Sequence, residues 1–131
     1  MNQHLLPVVA VAVGGALGAV LRYLVAVRVF GVAAMPVWPW ATFSVNLLGS
    51  FLFGLLVVAL ASSQVFSDNM RLAIMTGLLG AFTTYSTFAF EVLRLFQSRA
   101  LTLAIGYGFG TLCACVAAAA LGLWLGRLLF E

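Results

Sequence analysis

The chain has no lysine, one histidine and only three acidic residues, Asp68, Glu91 and Glu131, against six arginines. Charged residues make up 7% of it, where an average globular protein has roughly a quarter. That shortage excludes an ordinary soluble domain. The net charge of +3 comes from arginines set mostly at the ends of apolar runs. This placement suits membrane flanks, so no nucleic-acid partner is expected. Cysteine is scarce too: Cys113 and Cys115 stand two apart on an expected helix, point to different sides and match no metal or redox spacing. They read as small buried residues. No linker, low-complexity tract or soluble segment is left to house a separate activity, and His4 reads as terminal and solvated.

What the chain has in abundance is apolar length. At 131 residues, 65% of them hydrophobic, and with a mean hydropathy of +1.21, it reads as one all-α integral membrane domain covering residues 1–131. About 20 apolar residues cross a bilayer, and four stretches qualify, at about 5–30, 40–61, 72–96 and 101–129. The first begins without a basic leader and is too long for a signal-peptide core, so it is expected to stay in the mature protein. Pro36, Trp38, Pro39 and Trp40 predict a rigid, interfacial connection after it. With four spans both termini are expected on one face, flanked by Arg71 and Arg127, with Arg28, Arg94 and Arg99 on the other. So even a distribution sets no orientation and permits insertion both ways round.

Small residues mark packing faces. Gly14, Gly15, Gly18 and Ala19 let another helix approach the first span, and Gly106, Gly110, Ala114, Ala118, Gly122 and Gly126 recur every four residues along the fourth. This longer stripe fits association between subunits or tight packing within one. In the second span Thr42, Asn46 and Ser50 share one helical face. Asn46 brings two amide donors to membrane depth, either as interhelical glue or as a ligand.

The third span holds the least lipid-like segment, the five consecutive hydroxyl residues Thr83-Thr84-Tyr85-Ser86-Thr87. Each hydroxyl left unpaired in hydrocarbon would cost several kcal/mol, so these groups must face a partner, an ion or a water-filled path. With Gly77 and Gly80 just before them, they predict a helix break between Gly80 and Thr84. Unwound backbone there would expose carbonyls suited to a hard cation. Past the break, Tyr85 and Phe88 share a face. A ring presented edge-on turns its positive rim to a small anion, while plain packing is the alternative. Arg22 and Glu91 are ionisable groups inside spans, read as vestibule or structural charges.

Three blocks of this sequence, Gly14-Gly15-Ala16-Leu17-Gly18-Ala19-Val20-Leu21-Arg22-Tyr23, Thr42-Phe43-Ser44-Val45-Asn46-Leu47-Leu48-Gly49-Ser50-Phe51 and Gly77-Leu78-Leu79-Gly80-Ala81-Phe82-Thr83-Thr84-Tyr85-Ser86-Thr87-Phe88, resemble the CrcB/Fluc family of small fluoride channels. The resemblance implies a dual-topology homodimer of antiparallel four-helix subunits in the bacterial inner membrane, with two fluoride pores and a central, structural sodium ion. Carried over by motif, Gly80 and Thr83 would offer main-chain carbonyls to sodium. Asn46, Tyr85, Ser86, Thr87 and Phe88, with Thr111 of the fourth span, would form the fluoride pathway. Tyr85 stands where the motif has Phe, and Ala81 where it has a second Gly. The implied activity is passive fluoride efflux and resistance to fluoride, with no chemical transformation. A proton-coupled small multidrug exporter is a second reading, though the first span has no acidic residue. A non-transporting assembly subunit is a third, and it would not need Asn46 or the hydroxyl run.

Overall fold

A computed structural model describes residues 5–29 and 38–131. Phe30, at the expected end of the first span, Pro36 in the expected connection and His4 lie outside the described residues. The first helix, α1 (Leu5–Leu24), passes into a π-helical turn at Val25–Val29. Trp40–Ser62 forms α2, entered through Pro39 at φ −76°. The third span begins at Asp68, ahead of the expected Leu72, because the Ser67 hydroxyl caps it by accepting the Met70 N–H at 3.4 Å. It runs through α3 (Asp68–Leu72), a π-helical stretch at Ala73–Leu79 and a last α-helical turn, α4 (Gly80–Phe82). After Thr83 and Thr84 it resumes as α5 (Tyr85–Gln97), and α6 (Leu101–Phe130) completes the chain. Among the described residues, four helices, Leu5–Arg28, Trp40–Ser62, Asp68–Gln97 and Leu101–Phe130, are long and apolar enough to cross a membrane.

Gln97, Ser98 and Arg99, between the expected third and fourth spans, form a closed helix end. The Ala100 N–H reaches back to the Leu95 carbonyl at 3.0 Å and the Arg99 N–H to the Phe96 carbonyl at 3.0 Å. This pattern places Arg99 in the left-handed region at φ 61°, a position that normally falls to glycine.

Two close pairings organise the bundle, α1 against the π-helical stretch and α4, and α2 against α6. Glycine makes both possible. A Cβ on Gly77 would lie 2.7 Å from the Val11 carbonyl oxygen and 3.0 Å from Gly14 Cα, so the wide π turns rest directly on the α1 backbone. In the other pair a Cβ on Gly54 would lie 2.8 Å from the Leu123 nitrogen, and one on Gly122 2.9 Å from the Leu55 nitrogen. The stripe on α6 therefore divides. Gly122 and Gly126 pack within the chain, while Gly106 meets nothing within 4 Å and is exposed. The core is correspondingly thin, with Val45, Leu79, Phe82 and Ala104 buried and Leu17, Val20, Phe109 and Leu128 turned outward. Such an apolar exterior suits a hydrocarbon solvent. Cys113 is exposed on it and Cys115 is half-buried, so the expectation of two buried cysteines fails. The four-helix layout has too few neighbours to cover both sides of α6.

Candidate functional site

The break falls at Thr83 and Thr84, both extended, at φ −80°, ψ 159° and φ −149°, ψ 113°. Gly80, where the break was expected to begin, is still helical at φ −62°, ψ −36°. Hydroxyl chemistry sets the position. Thr83 Oγ1 donates to the Leu79 carbonyl at 3.1 Å, closing the incoming helix. Thr84 Oγ1 caps the outgoing one by accepting the Thr87 N–H at 3.3 Å, and it also donates to Thr87 Oγ1 at 2.9 Å.

Asn46 holds the break from α2. Its Nδ2 donates to the Thr84 carbonyl at 3.0 Å, and its Oδ1 accepts the Thr84 N–H at 2.8 Å. The carboxamide thus pairs with Thr84 as a neighbouring strand would, supplying at membrane depth the partners that unwound backbone requires. Gly49 allows the approach, since a Cβ there would run into the Thr83 side chain. Asn46 thus bridges two helices, and one Nδ2 hydrogen of the two remains without a partner among the described residues.

This arrangement frees two carbonyls. In a continuous helix the Thr84 N–H would bond the Gly80 oxygen, and the Thr87 N–H the Thr83 oxygen. Here the first goes to Asn46 and the second to the Thr84 hydroxyl.

Successive side chains in extended backbone point to opposite sides, so Thr83 and Thr84 open onto different grooves. The first, of about 320 Å³, brings Asn46, Ser50, Thr83, Tyr85, Phe88 and Thr111 together, with Gly80 at its wall. Tyr85 and Phe88 lie with ring centroids 5.9 Å apart at 52°. Thr111 is 3% exposed and its hydroxyl, itself buried, has no partner among the described residues. The second groove, also about 320 Å³, is lined by Arg22, Tyr23, Thr42, Thr84 and Thr87. Of the six residues expected along one path, Thr87 therefore lies on the second groove and Ser86 lines neither, its hydroxyl 3.5 Å from Thr84 Oγ1. An α-helix starting at Tyr85 turns residues 86 and 87 away from the face shared by 85 and 88.

Glu91 is fixed by two donors, Thr42 Oγ1 at 2.7 Å and the Tyr107 hydroxyl at 2.7 Å, which ties α5 to α2 and α6. Arg94 makes no ion pair with it and lies over the Phe90 ring at 5.9 Å. Arg22 lines the second groove, and its Nε has no partner among the described residues.

Sequence reasoning passed over Tyr107. Fully buried, it stands edge-on to Trp38 at 5.3 Å and tilted against Phe88 at 5.3 Å. Its signal was available: Ala104, Tyr107 and Thr111 recur at i, i+3 and i+7 and form the buried side of α6.

Four helices long and apolar enough to cross a membrane, the third of them broken and its free backbone held by one carboxamide, define a multi-pass membrane protein. Comparison with known proteins agrees. The family model described as CrcB-like protein, Camphor Resistance (CrcB) matches residues 9–123, and the chain belongs to this family. A fluoride-specific ion channel FluC of Agrobacterium fabrum is 48% identical over 120 residues, covering 92% of this chain and 95% of that protein. Proteins of the same name from Chloroflexus aurantiacus and Caulobacter vibrioides are 42% identical over 123 residues and 41% over 134, covering 92% and 99% of this chain. They span 94% and 99% of those relatives.

Proposed function

We propose that this protein is a fluoride-selective channel that lets the ion run passively down its gradient, protecting the cell from fluoride. Family membership and the names of the relatives support the substrate. The observation that carries the reading is the first groove, which Asn46, Thr111, Tyr85 and Phe88 line together, with one Asn46 amide hydrogen and the Thr111 hydroxyl unpartnered among the described residues. A small anion gives up its hydration only where donors replace it at close quarters. Hydroxyl and amide hydrogens do so strongly and ring rims weakly. Larger halides are bound to water less firmly, but they cannot draw as many of these fixed donors to one distance.

Arg22 supports a vestibule role for the second groove, its positive charge raising the local concentration of anions. The exporter reading needs a proton-carrying acid, and both carboxylate oxygens of Glu91, the one acid set inside a span, already serve as structural acceptors.

The freed Gly80 and Thr83 carbonyls suit a structural sodium ion, since both are hard oxygen donors without a helical amide. Among the described residues no cluster of three His, Cys, Asp or Glu offers another cation site. A bound sodium would supply positive charge next to the break. The chain's own share is to keep those oxygens off the helix ladder.

The dual-topology homodimer in the inner membrane extends the same reading. The exposed Tyr85 ring and the uncovered Gly106 end of the α6 stripe are surfaces that a second copy would cover. Reconstitution into liposomes with a fluoride electrode tests the function. Fluoride efflux that leaves chloride behind is expected. Chloride or guanidinium flux without fluoride flux would overturn the proposal.

A further inference from the structure

Phe88 lines the first groove and also packs on Tyr107 of α6, a fully buried ring that does not line the groove itself. Their centroids are 5.3 Å apart at 56°. Tyr107 in turn stands across the indole of Trp38, 5.3 Å away at 85°. Trp38, just ahead of α2, is seated by two more rings, Trp40 at 5.8 Å and Phe43 at 6.2 Å. Its Cη2 would lie 3.9 Å from a Cβ on Gly110, so the indole tip reaches α6. Among the described residues its Nε1 has no partner, and ring contacts are what hold it there. One row of rings thus runs from the start of α2 along α6 to the wall of the groove.

The torsion that sets the plane of a Phe or Tyr ring is broad, so such a ring takes its plane from its neighbours. Tyr107 is pinned at its tip, where the hydroxyl donates to the Glu91 carboxylate at 2.7 Å. That bond lies on the axis about which the ring turns, so it fixes the tip and holds the plane only weakly. An indole set perpendicular to the ring resists the turn directly. Phe88, tilted on Tyr107, takes its own plane from that contact.

We infer that Trp38 is a positioning residue for the fluoride pathway: acting through Tyr107, it holds the plane of the Phe88 ring and so the aim of the rim that Phe88 turns to the anion. The effect on flux rests on the ring-rim reading above, while the hold on the ring does not. A Phe88 ring free to turn would spend part of its time presenting its negative face, which repels an anion.

The test uses the full chain, in liposomes with a fluoride electrode and in detergent with Phe88 replaced by meta-fluorophenylalanine. Trp38→Met keeps bulk without a flat ring and should slow fluoride efflux about fivefold, on the scale of one aromatic pair. Trp38→Phe should keep a rate near that of wild type. On a Phe88→Ile background, Trp38→Met should cost nothing further, because the ring it acts on is gone. Fluorine NMR should show separate lines for the two edge positions of the labelled ring, merging to one averaged line in Trp38→Met. Trp38→Leu serves the same comparisons if the Met variant does not fold. The same loss on the Phe88→Ile background, an equal loss in Trp38→Phe, or separate lines that persist in Trp38→Met would overturn the inference. Should wild type pass no fluoride at all, the channel reading fails, and the fluorine lines still decide whether Trp38 holds the ring.

Discussion

The two grooves on either side of the helix break have nearly the same volume and share a wall, yet they are built from different chemistry. The first offers neutral donors and ring rims from α2, α5 and α6. The second offers a guanidinium and three threonines from α1, α2, the break and α5. Full charges attract anions at a distance but bind them without much regard to size. Neutral donors fixed in position discriminate, because each has one distance at which it serves. Thr83 and Thr84, adjacent in the chain, belong to different grooves only because the backbone between them is extended. Under the proposed function, the same two residues would divide attraction from selection.

The largest effect is expected where both grooves depend on one residue. Asn46→Leu removes both bonds to Thr84 and leaves an N–H and a C=O unpaired at membrane depth. At ~1–3 kcal/mol for each orphaned group, thermal unfolding in detergent should come clearly earlier and flux should fall about a hundredfold. If Asn46→Leu kept flux while losing stability, the amide would be glue alone. Phe88→Ile should follow, cutting flux by about tenfold with the fold intact, since the ring rim is lost at similar volume. Flux equal to wild type would remove the ring-edge mechanism from the first groove.

The comparison sharpens with Thr111→Val set against Thr87→Val. Both delete one hydroxyl, but the first removes a donor beside the first groove that is unpartnered among the described residues, and the second breaks a local bond to Thr84. A larger loss of flux in Thr111→Val, by about fivefold on the scale of one hydrogen bond, is expected from side-by-side electrode records. The reverse order would exchange the roles of the grooves. Tyr85→Phe should change flux least if only its rim is used, because the structure gives its hydroxyl no partner among the described residues. Arg99→Gly should leave flux unaltered and raise the unfolding temperature slightly, by relieving ~1 kcal/mol of left-handed strain.

Hydrophobic length made the four spans readable, and the ends of the second and fourth fall within a residue of where apolar runs predicted them. The break was readable because hydroxyls in a row compete for their own backbone. Its position was less so: Gly80 suggested an earlier start than the capping bonds of Thr83 and Thr84 allow. Glycine is permissive in a helix, whereas a capped hydroxyl is committed. Tyr107 was missed because a lone tyrosine in a long apolar helix reads as packing until its partner Glu91 is found, and the two lie 16 positions apart in the chain.

What the sequence determined by itself is local: spans long enough to cross a bilayer, small residues where helices approach, and a segment unable to remain helical. Tertiary structure decided where those pieces point. It gave the Asn46 amide to Thr84, set Gly122 and Gly126 of the α6 stripe against α2, and sent Tyr85 and Thr87 to different grooves. Periodicity specifies which residues share a face. Only packing against a second helix, 38 positions away for Asn46 and Thr84, specifies what that face meets.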